Sequence, residues 1–505
     1  MAHITVKKVN ESVLKISSDD HGILMEACEY FTFMVDGYKF IPAYRNKLWD
    51  GKARLLDMRN HTLPYGLLLE LMKFANSRKY TVSIDDDISQ RVPTNKEHLV
   101  DYIKTLTLTG SNGDNIQARD YQVSAFAHAC SEGRSLVISP TGSGKSLIIY
   151  MMVRWFLDHH DEKVLIVVPT TSLVEQMSKD FDDYSRLDDE FDAAIDVHKI
   201  YSGKEKNQFD SRVVVTTWQS AITLPKSWFL QYGMVVGDEA HLFKAKSLNS
   251  IMTNLVNAQY RIGTTGTIDG SVCNELVLIG NFGPIHRVIT TKQLMDNDTL
   301  ASLKIKCLVL NHDDELKKLV SKMDYQKEID AIVSHPGRNL FISKLALDQK
   351  GNTLVLFNLV GKHGKPLYKQ IQNLIKSSED QDRKAFYVSG EVNAMDRENI
   401  RGIVENEKNA IIVASSATFS TGINIKNLHT IIFAAPTKSQ IRVLQSIGRG
   451  LRKSDNGKGT VVYDISDNFS WKNKKNYTMK HAIDRIKIYD KESFEYKVYE
   501  IPMPL

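Results

Sequence analysis

Apolar residues in the middle of the chain come in short continuous runs, and the stretches between these runs have the spacing of amphipathic helices. From about residue 116 the runs are Leu136–Ser139, Val164–Pro169, Val213–Thr217, Met234–Gly237 and Gln259–Gly263. A continuous apolar run indicates a strand that is covered on both faces, which is typical of a parallel sheet in an α/β layered fold.

The same pattern begins again beyond residue 300. Its strand-like runs are Ile305–Leu310, Thr353–Phe357, Ala385–Val388, Ala410–Ala414, Thr430–Ala434 and Thr460–Ile465. The last stretch, Trp471–Tyr499, mixes lysines with aromatic residues and predicts a helix followed by a closing strand. We therefore predict two α/β domains in series.

The first hundred residues have a different pattern, in which short strand-like runs surround one helical segment at Leu67–Asn76. The runs are His3–Val9, Val13–Ile16, Tyr38–Pro42 and Ala53–Asp57. This mixture predicts a small α+β domain, and the turn-rich segment 111–115 marks a break after it. The predicted domains are residues 1–100, 101–300 and 301–505.

Length and charge fit this division. A chain of 505 residues accommodates about three domains. Its 65 Lys and Arg residues against 60 Asp and Glu exclude a histone-like binder, but local basic patches still allow a nucleic-acid partner. The four cysteines lack zinc-ligand spacing, and no apolar run reaches 18 residues. These features predict a cytoplasmic protein with reduced thiols and no membrane-spanning helix.

A phosphate-binding loop is predicted at the end of the first of these strands, where residues 139–146 read Ser-Pro-Thr-Gly-Ser-Gly-Lys-Ser. Glycines allow successive backbone N–H groups to turn toward phosphate oxygens, and the following helix contributes its N-terminus. Lys145 would reach the β- and γ-phosphates, and the Ser146 hydroxyl would bind Mg²⁺. Ser139 replaces the usual first glycine. The alternative is a loop that only caps a helix, and the strand-to-helix context favours phosphate binding. The candidate contacts are Pro140, Thr141, Gly142, Ser143, Gly144, Lys145 and Ser146.

Two adjacent carboxylates, Asp238 and Glu239, follow the apolar run that begins at Met234. A parallel strand delivers them to the carboxyl edge of its sheet, where the phosphate loop is also expected. Asp238 would then hold the Mg²⁺ shell, and Glu239 would orient or deprotonate the attacking water. On its own such a pair would usually cap a helix, but the phosphate loop favours the catalytic interpretation.

Further motifs lie before, between and after these two sites. They are Arg119-Asp-Tyr-Gln122, Val168-Pro-Thr-Thr-Ser-Leu173, Thr216-Thr-Trp-Gln-Ser220, Thr265-Gly-Thr267, Val388-Ser-Gly-Glu391, Ser420-Thr-Gly-Ile-Asn424 and Gln445-Ser-Ile-Gly-Arg-Gly-Leu-Arg452. Together with Asp238-Glu-Ala-His241 they resemble the motif set of superfamily 2 helicases over roughly residues 116–465. The resemblance implies two tandem RecA-like parallel-sheet domains that clasp ATP and Mg²⁺.

The resemblance also implies roles for individual residues. Arg119 and Gln122 would read the adenine, and Gly422 and Asn424 would contact the nucleotide from the second domain. Asn424 stands where many members have Asp; asparagine has no charge for an ionic contact there, but its amide could donate or accept a hydrogen bond. The strand-contacting positions would be Thr170, Thr217, Ser389, Gly390 and Thr421; the positions that couple hydrolysis to movement would be His241, Thr265 and Thr267; and the positions that complete hydrolysis would be Gln445, Arg449 and Arg452.

Arg449 and Arg452 lie three residues apart and would share one helix face. Offered across a cleft, they would stabilise the transition-state charge as arginine fingers. The alternative is that they form surface ion pairs.

The first hundred residues resemble the amino-terminal domain of the UvsW family of T4-like phage helicases. The similarity rests on Asp36-Gly-Tyr38, Pro42, Tyr44-Arg45, Trp49-Asp-Gly51, Arg54-Leu-Leu-Asp57 and Pro64-Tyr-Gly66. It implies an ATP-dependent DNA helicase that regresses forks, branch-migrates Holliday junctions and unwinds R-loops and D-loops in phage recombination, repair and replication. The implied partners are branched, single-stranded and double-stranded DNA, with RNA–DNA hybrids and phage single-strand-binding or recombination proteins as further candidates.

Two basic, aromatic segments are candidate nucleic-acid contacts, because cations neutralise phosphates and rings stack on bases. The first includes Arg45, Lys47 and Trp49, and the second includes Lys474 and Lys475. For each, an ordinary domain core or a solvated rim stays an open alternative. Two other functions also stay open: a double-strand translocase or RNA helicase without preference for branched DNA, and a non-hydrolysing nucleic-acid-binding scaffold.

Overall fold

The computed structural model describes residues 3–89, 94–202, 211–243, 245–268, 271–378, 381–392, 399–400, 402–404, 406–422, 427–436, 443, 447–448 and 459–503, with the backbone alone at residues 89 and 420–422. The chain divides into two compact units. One comprises Met1–Ser139 and Ser143–Ile289, and the other comprises Pro140–Gly142 and Thr290–Leu505. Within the described residues, no helix has both the length and the apolar character needed to cross a bilayer.

The first unit begins with a small sheet in the order β5-β2-β1-β6, beside a separate hairpin of β3 and β4. The strands are β1 His3–Lys8, β2 Val13–Ser17, β3 Thr32–Met34, β4 Lys52–Arg54, β5 Thr62–Pro64 and β6 Thr81–Ile84. The helices are α1 His21–Tyr30, α2 Pro42–Arg45, α3 Leu68–Arg78 and α4 Asp86–Ser89. Both β1–β2 and β2–β5 are antiparallel, whereas β6 joins β1 in parallel.

The same unit continues with a parallel sheet of seven strands in the order β13-β7-β12-β11-β8-β10-β9. The strands are β7 Arg134–Ile138, β8 Lys163–Val168, β9 Val197–Ile200, β10 Val213–Thr217, β11 Tyr232–Asp238, β12 Tyr260–Thr265 and β13 Ile285–Arg287. The helices are α5 Lys96–Thr105, α6 Asp120–Glu132, α7 Lys145–His159, α8 Thr171–Ser185, α9 Ala193–Asp196, α10 Trp218–Ala221, α11 Lys246–Asn254 and α12 Val272–Phe282.

Both faces of this first large sheet are buried. Along β8, Val164, Ile166 and Val168 join one apolar cluster, while Leu165 and Val167 join the cluster on the opposite face. This alternation between two covered faces explains why every residue of the strand after Lys163 is apolar.

The second unit contains another parallel sheet of seven strands, in the order β16-β17-β15-β18-β19-β14-β20. The strands are β14 Leu303–Asn311, β15 Asn352–Phe357, β16 Ala385–Val388, β17 Ile411–Ser415, β18 Leu428–Phe433, β19 Thr460–Asn468 and β20 Tyr496–Pro502. The helices are α13 Thr291–Asp296, α14 Asp314–Val320, α15 Tyr325–Ser334, α16 Pro336–Asp348, α17 Lys365–Lys376, α18 Ser416–Gly422 and α19 Tyr477–Lys491. Buried ion pairs tie helices to this sheet: Arg338 to Asp467 (2.9 Å) and Arg485 to Asp464 (2.7 Å).

The fold class predicted from the apolar runs is confirmed, and each of the eleven runs assigned to the two large sheets overlaps a strand. The predicted closing helix and strand are α19 and β20. One prediction in the small domain is wrong. Tyr38–Pro42 is not a strand but a 3₁₀ turn at Tyr38–Phe40 followed by the start of α2. Pro42 lies at the first position of that helix, where a missing N–H costs nothing. The strand expected at Ala53–Asp57 is the shorter β4.

The small sheet is attached to the first large sheet by a buried polar contact, which we call the arginine joint: Arg134, Arg261, Glu11 and Ser12. Arg134 and Arg261 are paired residues on β7 and β12. Arg134 forms an ion pair with Glu11 (2.6 Å), and Arg261 donates to Ser12 Oγ (2.9 Å). Although burial raises it, Arg134 and Lys8 hold the pKa of Glu11 below its usual value. The joint therefore contains a charged carboxylate that pairs with the guanidinium of Arg134, while the guanidinium of Arg261 binds the backbone oxygen of the same glutamate (3.1 Å).

A close backbone approach adds to this attachment. A Cβ on Gly66 would lie 1.9 Å from the carbonyl oxygen of Ile279 on α12, so only glycine fits at that position. This contact accounts for the glycine of the Pro64-Tyr-Gly66 motif.

Candidate active site

Three neighbouring strands of the first large sheet end in one row, and each brings a predicted site residue to the same edge. Thr265 at the end of β12 is in register with Ile138, the last residue of β7. On the other side of β12, Thr264 is in register with Asp238 at the end of β11. Ser139 N donates to Thr265 O (2.9 Å), which joins the start of the glycine-rich loop to this row.

The glycine-rich loop between β7 and α7 has the backbone that phosphate binding needs. Gly142 and Gly144 have φ angles of 85° and 78°, in the left-handed region that favours glycine. The helix α7 begins at Lys145, directly after Gly144. The loop thus presents the N-terminus of a long helix, where backbone N–H groups and the helix dipole favour an anion.

Ser139, the departure from the usual glycine, stabilises the loop. Its buried hydroxyl shares a hydrogen bond of 2.6 Å with Ser143 Oγ, across the turn. Lys145 Nζ lies 3.3 Å from Ser139 O, to which it donates. The Ser139 side chain therefore adds a hydrogen bond across the loop that a glycine at position 139 could not form.

Gln122 fastens the loop to α6. Its Oε1 accepts from Arg119 N (2.9 Å), and its Nε2 donates to Ser143 O (2.9 Å). Tyr121 Oη donates to the same carbonyl oxygen (3.0 Å), a contact that the motif does not predict although Tyr121 lies inside it. A Cβ on Gly144 would lie 2.3 Å from Gln122 Nε2, so the amide fits only against a glycine.

The two adjacent carboxylates differ in their surroundings. Asp238 is buried and accepts a hydrogen bond from Thr264 Oγ1 (2.8 Å). Burial and then the neighbouring Glu239 raise the pKa of Asp238, and Lys145 opposes them. A buried carboxylate with this surplus of negative charge is suited to a cation. Glu239 has φ 51° and ψ 49°, a left-handed conformation that is strained for any residue with a side chain.

A polar relay leads from Glu239 to the loop after β12. His241 Nδ1 lies 3.3 Å from Glu239 Oε2 and 3.0 Å from Thr265 Oγ1. Thr265 Oγ1 donates to Thr267 O (3.0 Å), and this uses its single proton. His241 Nδ1 is therefore the donor toward Thr265. The three positions expected to couple hydrolysis to movement are in contact.

Ser146, the expected Mg²⁺ ligand from the loop, shares a hydrogen bond of 2.9 Å with Tyr184 Oη from α8. Burial raises the pKa of Tyr184 to about 12, so its hydroxyl stays protonated. Since a hydroxyl oxygen has two lone pairs, Ser146 keeps a position for a metal. Ser146 and Asp238 each offer oxygen donors, the type of ligand that Mg²⁺ prefers.

Three family models match the chain. Residues 3–85 match "DNA helicase UvsW, N-terminal", residues 115–270 match "Type III restriction enzyme, res subunit", and residues 338–454 match "Helicase conserved C-terminal domain". The chain is 38% identical to the ATP-dependent DNA helicase uvsW of Enterobacteria phage T4, over 93% of this chain and 94% of that one. It belongs to the UvsW family of helicases.

A solved structure agrees with this assignment. The crystal structure of T4 UvsW matches 99% of this chain and 100% of its own, at 34% identity and a TM-score of 0.52. A more distant relative is the DNA 3'-5' translocase XPB2 of Sulfurisphaera tokodaii, 24% identical over 70% of this chain and 84% of that one.

Within this UvsW-family chain, other predicted contact residues lie at the same kind of edge. Thr170 caps α8, where its side chain accepts from Leu173 N, and Thr217 ends the neighbouring β10 and donates to Ser220 Oγ (3.2 Å). In the second sheet, Ser389 and Gly390 directly follow β16. Thr421 and Gly422 end α18, where the structure describes only the backbone. Asn424, Gln445, Arg449 and Arg452 lie outside the described residues.

The two basic segments of this helicase differ in how they are held. Arg45 and Lys47 are exposed, and Trp49 is half-buried with its Nε1 donating to Lys52 O (2.9 Å). None of these three belongs to the apolar core of the small domain. Lys474 donates to Ser321 O (2.8 Å), and Lys475 is exposed.

Proposed function

We propose that this chain is an ATP-driven DNA helicase that remodels branched DNA. It would regress forks, branch-migrate Holliday junctions and unwind R-loops and D-loops in phage recombination, repair and replication. The observation that carries the proposal is the row of strand ends with the phosphate loop, Thr265 and Asp238. Its division of labour would be DNA binding by residues 1–100, ATP binding by residues 101–300 and arginine fingers within residues 301–505.

ATP hydrolysis follows from the geometry of the loop and the two carboxylates. The backbone N–H groups after Gly142 and the amino group of Lys145 bind the phosphates, while Gln122 and Arg119 bind the adenine side. Glu239, held in its strained conformation beside His241, orients and deprotonates the attacking water. Mg²⁺, which Ser146 and Asp238 would hold, neutralises phosphate charge when it is bound. Arg449 and Arg452 would stabilise the transition state from the second domain.

The relay supplies the connection between hydrolysis and movement. Any change in the charge or position of Glu239 alters the hydrogen bond from His241 to Thr265, and through it the Thr267 backbone. The proposed DNA contacts are Thr170, Thr217, Ser389, Gly390 and Thr421, and their places at or near the carboxyl edges of the two sheets support this part of the proposal. ATP binding would then favour one conformation and hydrolysis another.

The proposal is tested by measuring ATP hydrolysis with no nucleic acid, single-stranded DNA, linear duplex, a four-way junction and RNA. We expect the junction to stimulate hydrolysis more strongly than linear duplex, and branch migration to require ATP. Glu239→Gln should bind ATP but turn it over at less than about one hundredth of the wild-type rate. A Glu239→Gln protein with the native rate would contradict the role of that carboxylate.

A second candidate function is a double-strand translocase without preference for branched DNA, which the similarity to a named DNA translocase favours. Equal stimulation by junction and linear duplex would support it. Preferential stimulation by RNA would instead indicate an RNA helicase.

A further inference from the structure

Residues 36–50 form a compact loop, here called the Ω-loop, that is closed at its base by β3 and β4. Val35 N donates to Gly51 O (2.9 Å) across the base. Inside the loop, the rings of Tyr38 and Tyr44 pack edge to face with centroids 4.7 Å apart, and Arg45 Nε donates to Lys39 O (3.2 Å). The loop is thus held by its own side chains, as functional surface loops of this size often are.

Two large apolar side chains of the Ω-loop face water. Phe40 is 75% exposed and Leu48 is 81% exposed. Tyr38 and Tyr44 provide the ring packing inside the loop, and Phe40 and Leu48 are the most exposed large apolar side chains of the described residues. Exposed apolar groups of this size on a locally ordered loop indicate a binding surface.

The charge around these side chains selects the kind of partner. Residues 35–54 contain five cations and two carboxylates, a surplus of three positive charges, whereas the whole chain has a surplus of five. An open cleft of about 650 Å³ is lined by three cations, three apolar or aromatic side chains and one carboxylate: Lys39, Arg45, Lys47, Tyr44, Leu48, Trp49 and Asp50. The carboxylate of Asp50 is paired with Arg54, so the three cations keep their surplus of charge. Cations beside exposed apolar groups match a polyanion whose bases are accessible, rather than an apolar protein surface.

We propose that the Ω-loop inserts Phe40 and Leu48 at the branch point of DNA, where base stacking is already interrupted, while Lys39, Arg45 and Lys47 hold the adjoining phosphates. Apolar side chains that enter a base step unstack it, and a branch point makes that step less costly. This inference rests on the proposed function, since it gives the remodelling activity its strand-separating element.

The Ω-loop is carried by the same body that contains the ATP site. Its base strand β3 contacts α12, the helix that follows the Thr265-Gly-Thr267 motif, and the arginine joint lies between the small domain and β12. Because the arginine joint is buried, we expect the small domain and its loop to move with the first large sheet. Force produced at the ATP site therefore reaches the branch point.

The test compares Phe40→Ala/Leu48→Ala with a control variant, Val9→Ala/Met25→Ala. The control removes two half-exposed apolar side chains from the same domain, outside the Ω-loop. The measured quantity is the number of four-way junctions that are branch-migrated to separated duplex products per ATP hydrolysed. We expect it to fall at least tenfold in Phe40→Ala/Leu48→Ala and less than twofold in the control. Equal thermal midpoints show that both variants are folded.

A second readout does not depend on turnover. With 2-aminopurine placed at the branch point, wild-type protein without ATP should change the fluorescence on binding, and Phe40→Ala/Leu48→Ala should not. Lys39→Gln/Lys47→Gln should weaken junction binding about tenfold and reduce its salt dependence.

The outcomes separate the two proposals. An unchanged number of junctions per ATP and an unchanged fluorescence signal in Phe40→Ala/Leu48→Ala would overturn the role of the Ω-loop alone. A wild-type protein that hydrolyses ATP with DNA but leaves junctions intact would overturn the proposed function, and the inference with it.

Discussion

Replacing Arg261 with methionine tests whether the arginine joint holds the small domain to the first large sheet. The guanidinium is buried, and methionine keeps most of its volume without its charge. Its five hydrogen-bond acceptors are Asn281 O (3.1 Å), Glu11 O (3.1 Å), Ser12 Oγ (2.9 Å), Leu255 O (3.2 Å) and Met252 O (2.6 Å). Two of these acceptors lie in the small domain, so the substitution should weaken its attachment.

Two opposing effects determine how much free energy of attachment the substitution removes. Charge-assisted hydrogen bonds are lost, but the substitution also removes a charge whose burial is unfavourable. Burial, and then repulsion from Arg134, lower the pKa of Arg261, and Glu11 opposes them. Several acceptors also keep another donor: Met252 O keeps Ser12 Oγ (3.0 Å), and Glu11 O keeps Arg134 (2.7 Å). We therefore expect the attachment to lose about 3 kcal/mol, the upper end of the usual range for one hydrogen bond to a charged group.

Hydrogen exchange at one backbone amide reports this loss directly. Glu11 N donates to Val256 O (3.0 Å), so its exchange requires the small domain to separate from the first large sheet. A loss of about 3 kcal/mol corresponds to exchange roughly 150-fold faster, since each 1.36 kcal/mol is a factor of ten. The control is Arg154→Met. It removes a buried arginine of α7 that pairs with Asp188 (2.8 Å) within the same unit.

The two variants give a clear contrast if the reasoning is right. Arg261→Met should accelerate exchange at Glu11 and leave amides of the β8–β10 pair unchanged, whereas Arg154→Met should leave Glu11 unchanged. Acceleration of less than about threefold at Glu11 would refute the joint as the attachment. Equal acceleration throughout the first unit would show that Arg261 supports the large sheet instead.

Three further expectations concern the site and its surroundings. Gly144→Ala places a Cβ 2.3 Å from Gln122 Nε2, in a backbone with φ 78° that favours glycine. ATP binding measured with a fluorescent nucleotide should therefore weaken at least tenfold, and native affinity would contradict the tight fit. His241→Ala should keep ATP binding but lower the DNA unwound per ATP, because the relay to Thr265 is cut; an unchanged ratio would remove its coupling role. Burial, then His286 and Lys96, lower the pKa of His128 to about 4, so the folded protein holds a neutral ring that the unfolded chain protonates near pH 6.5. Stability should therefore decline as pH falls from about 6.5 to 4, and His128→Gln should lessen the decline in thermal midpoint between pH 7.5 and 5; equal declines would assign it to other groups.

The sequence predicted the parts of this structure that depend on local patterning. Continuous apolar runs identify buried parallel strands. A glycine-rich loop between such a strand and a helix indicates phosphate binding. Asp238 and Glu239 could be placed near that loop because parallel strands end at one edge. Tyr38–Pro42 shows the limit: a run of apolar residues beside Pro42 has the composition of a strand, but the proline starts a helix.

Contacts between distant parts of the chain left no local signal. Arg261 and Ser12 are 249 residues apart, and neither lies in a motif. Tyr184 reaches Ser146 across 38 residues from a helix whose sequence indicates only an amphipathic surface. The exposure of Phe40 and Leu48 likewise has no signal in the local sequence, where both residues have the composition of core positions. Such features require the fold before they can be seen.

The strand β12 connects these distant features. Its amino-terminal half carries Arg261 at the arginine joint, and its last two residues, Thr264 and Thr265, contact Asp238 and His241 at the proposed ATP site. Only six residues long and paired on both sides, it cannot slide without breaking the hydrogen bonds to β7 and β11. A perturbation of the joint should therefore change how ATP hydrolysis is used without changing ATP binding. In the Arg261→Met protein we expect native nucleotide affinity together with fewer junctions branch-migrated per ATP hydrolysed. Weakened nucleotide binding would show instead that the strand itself had been displaced.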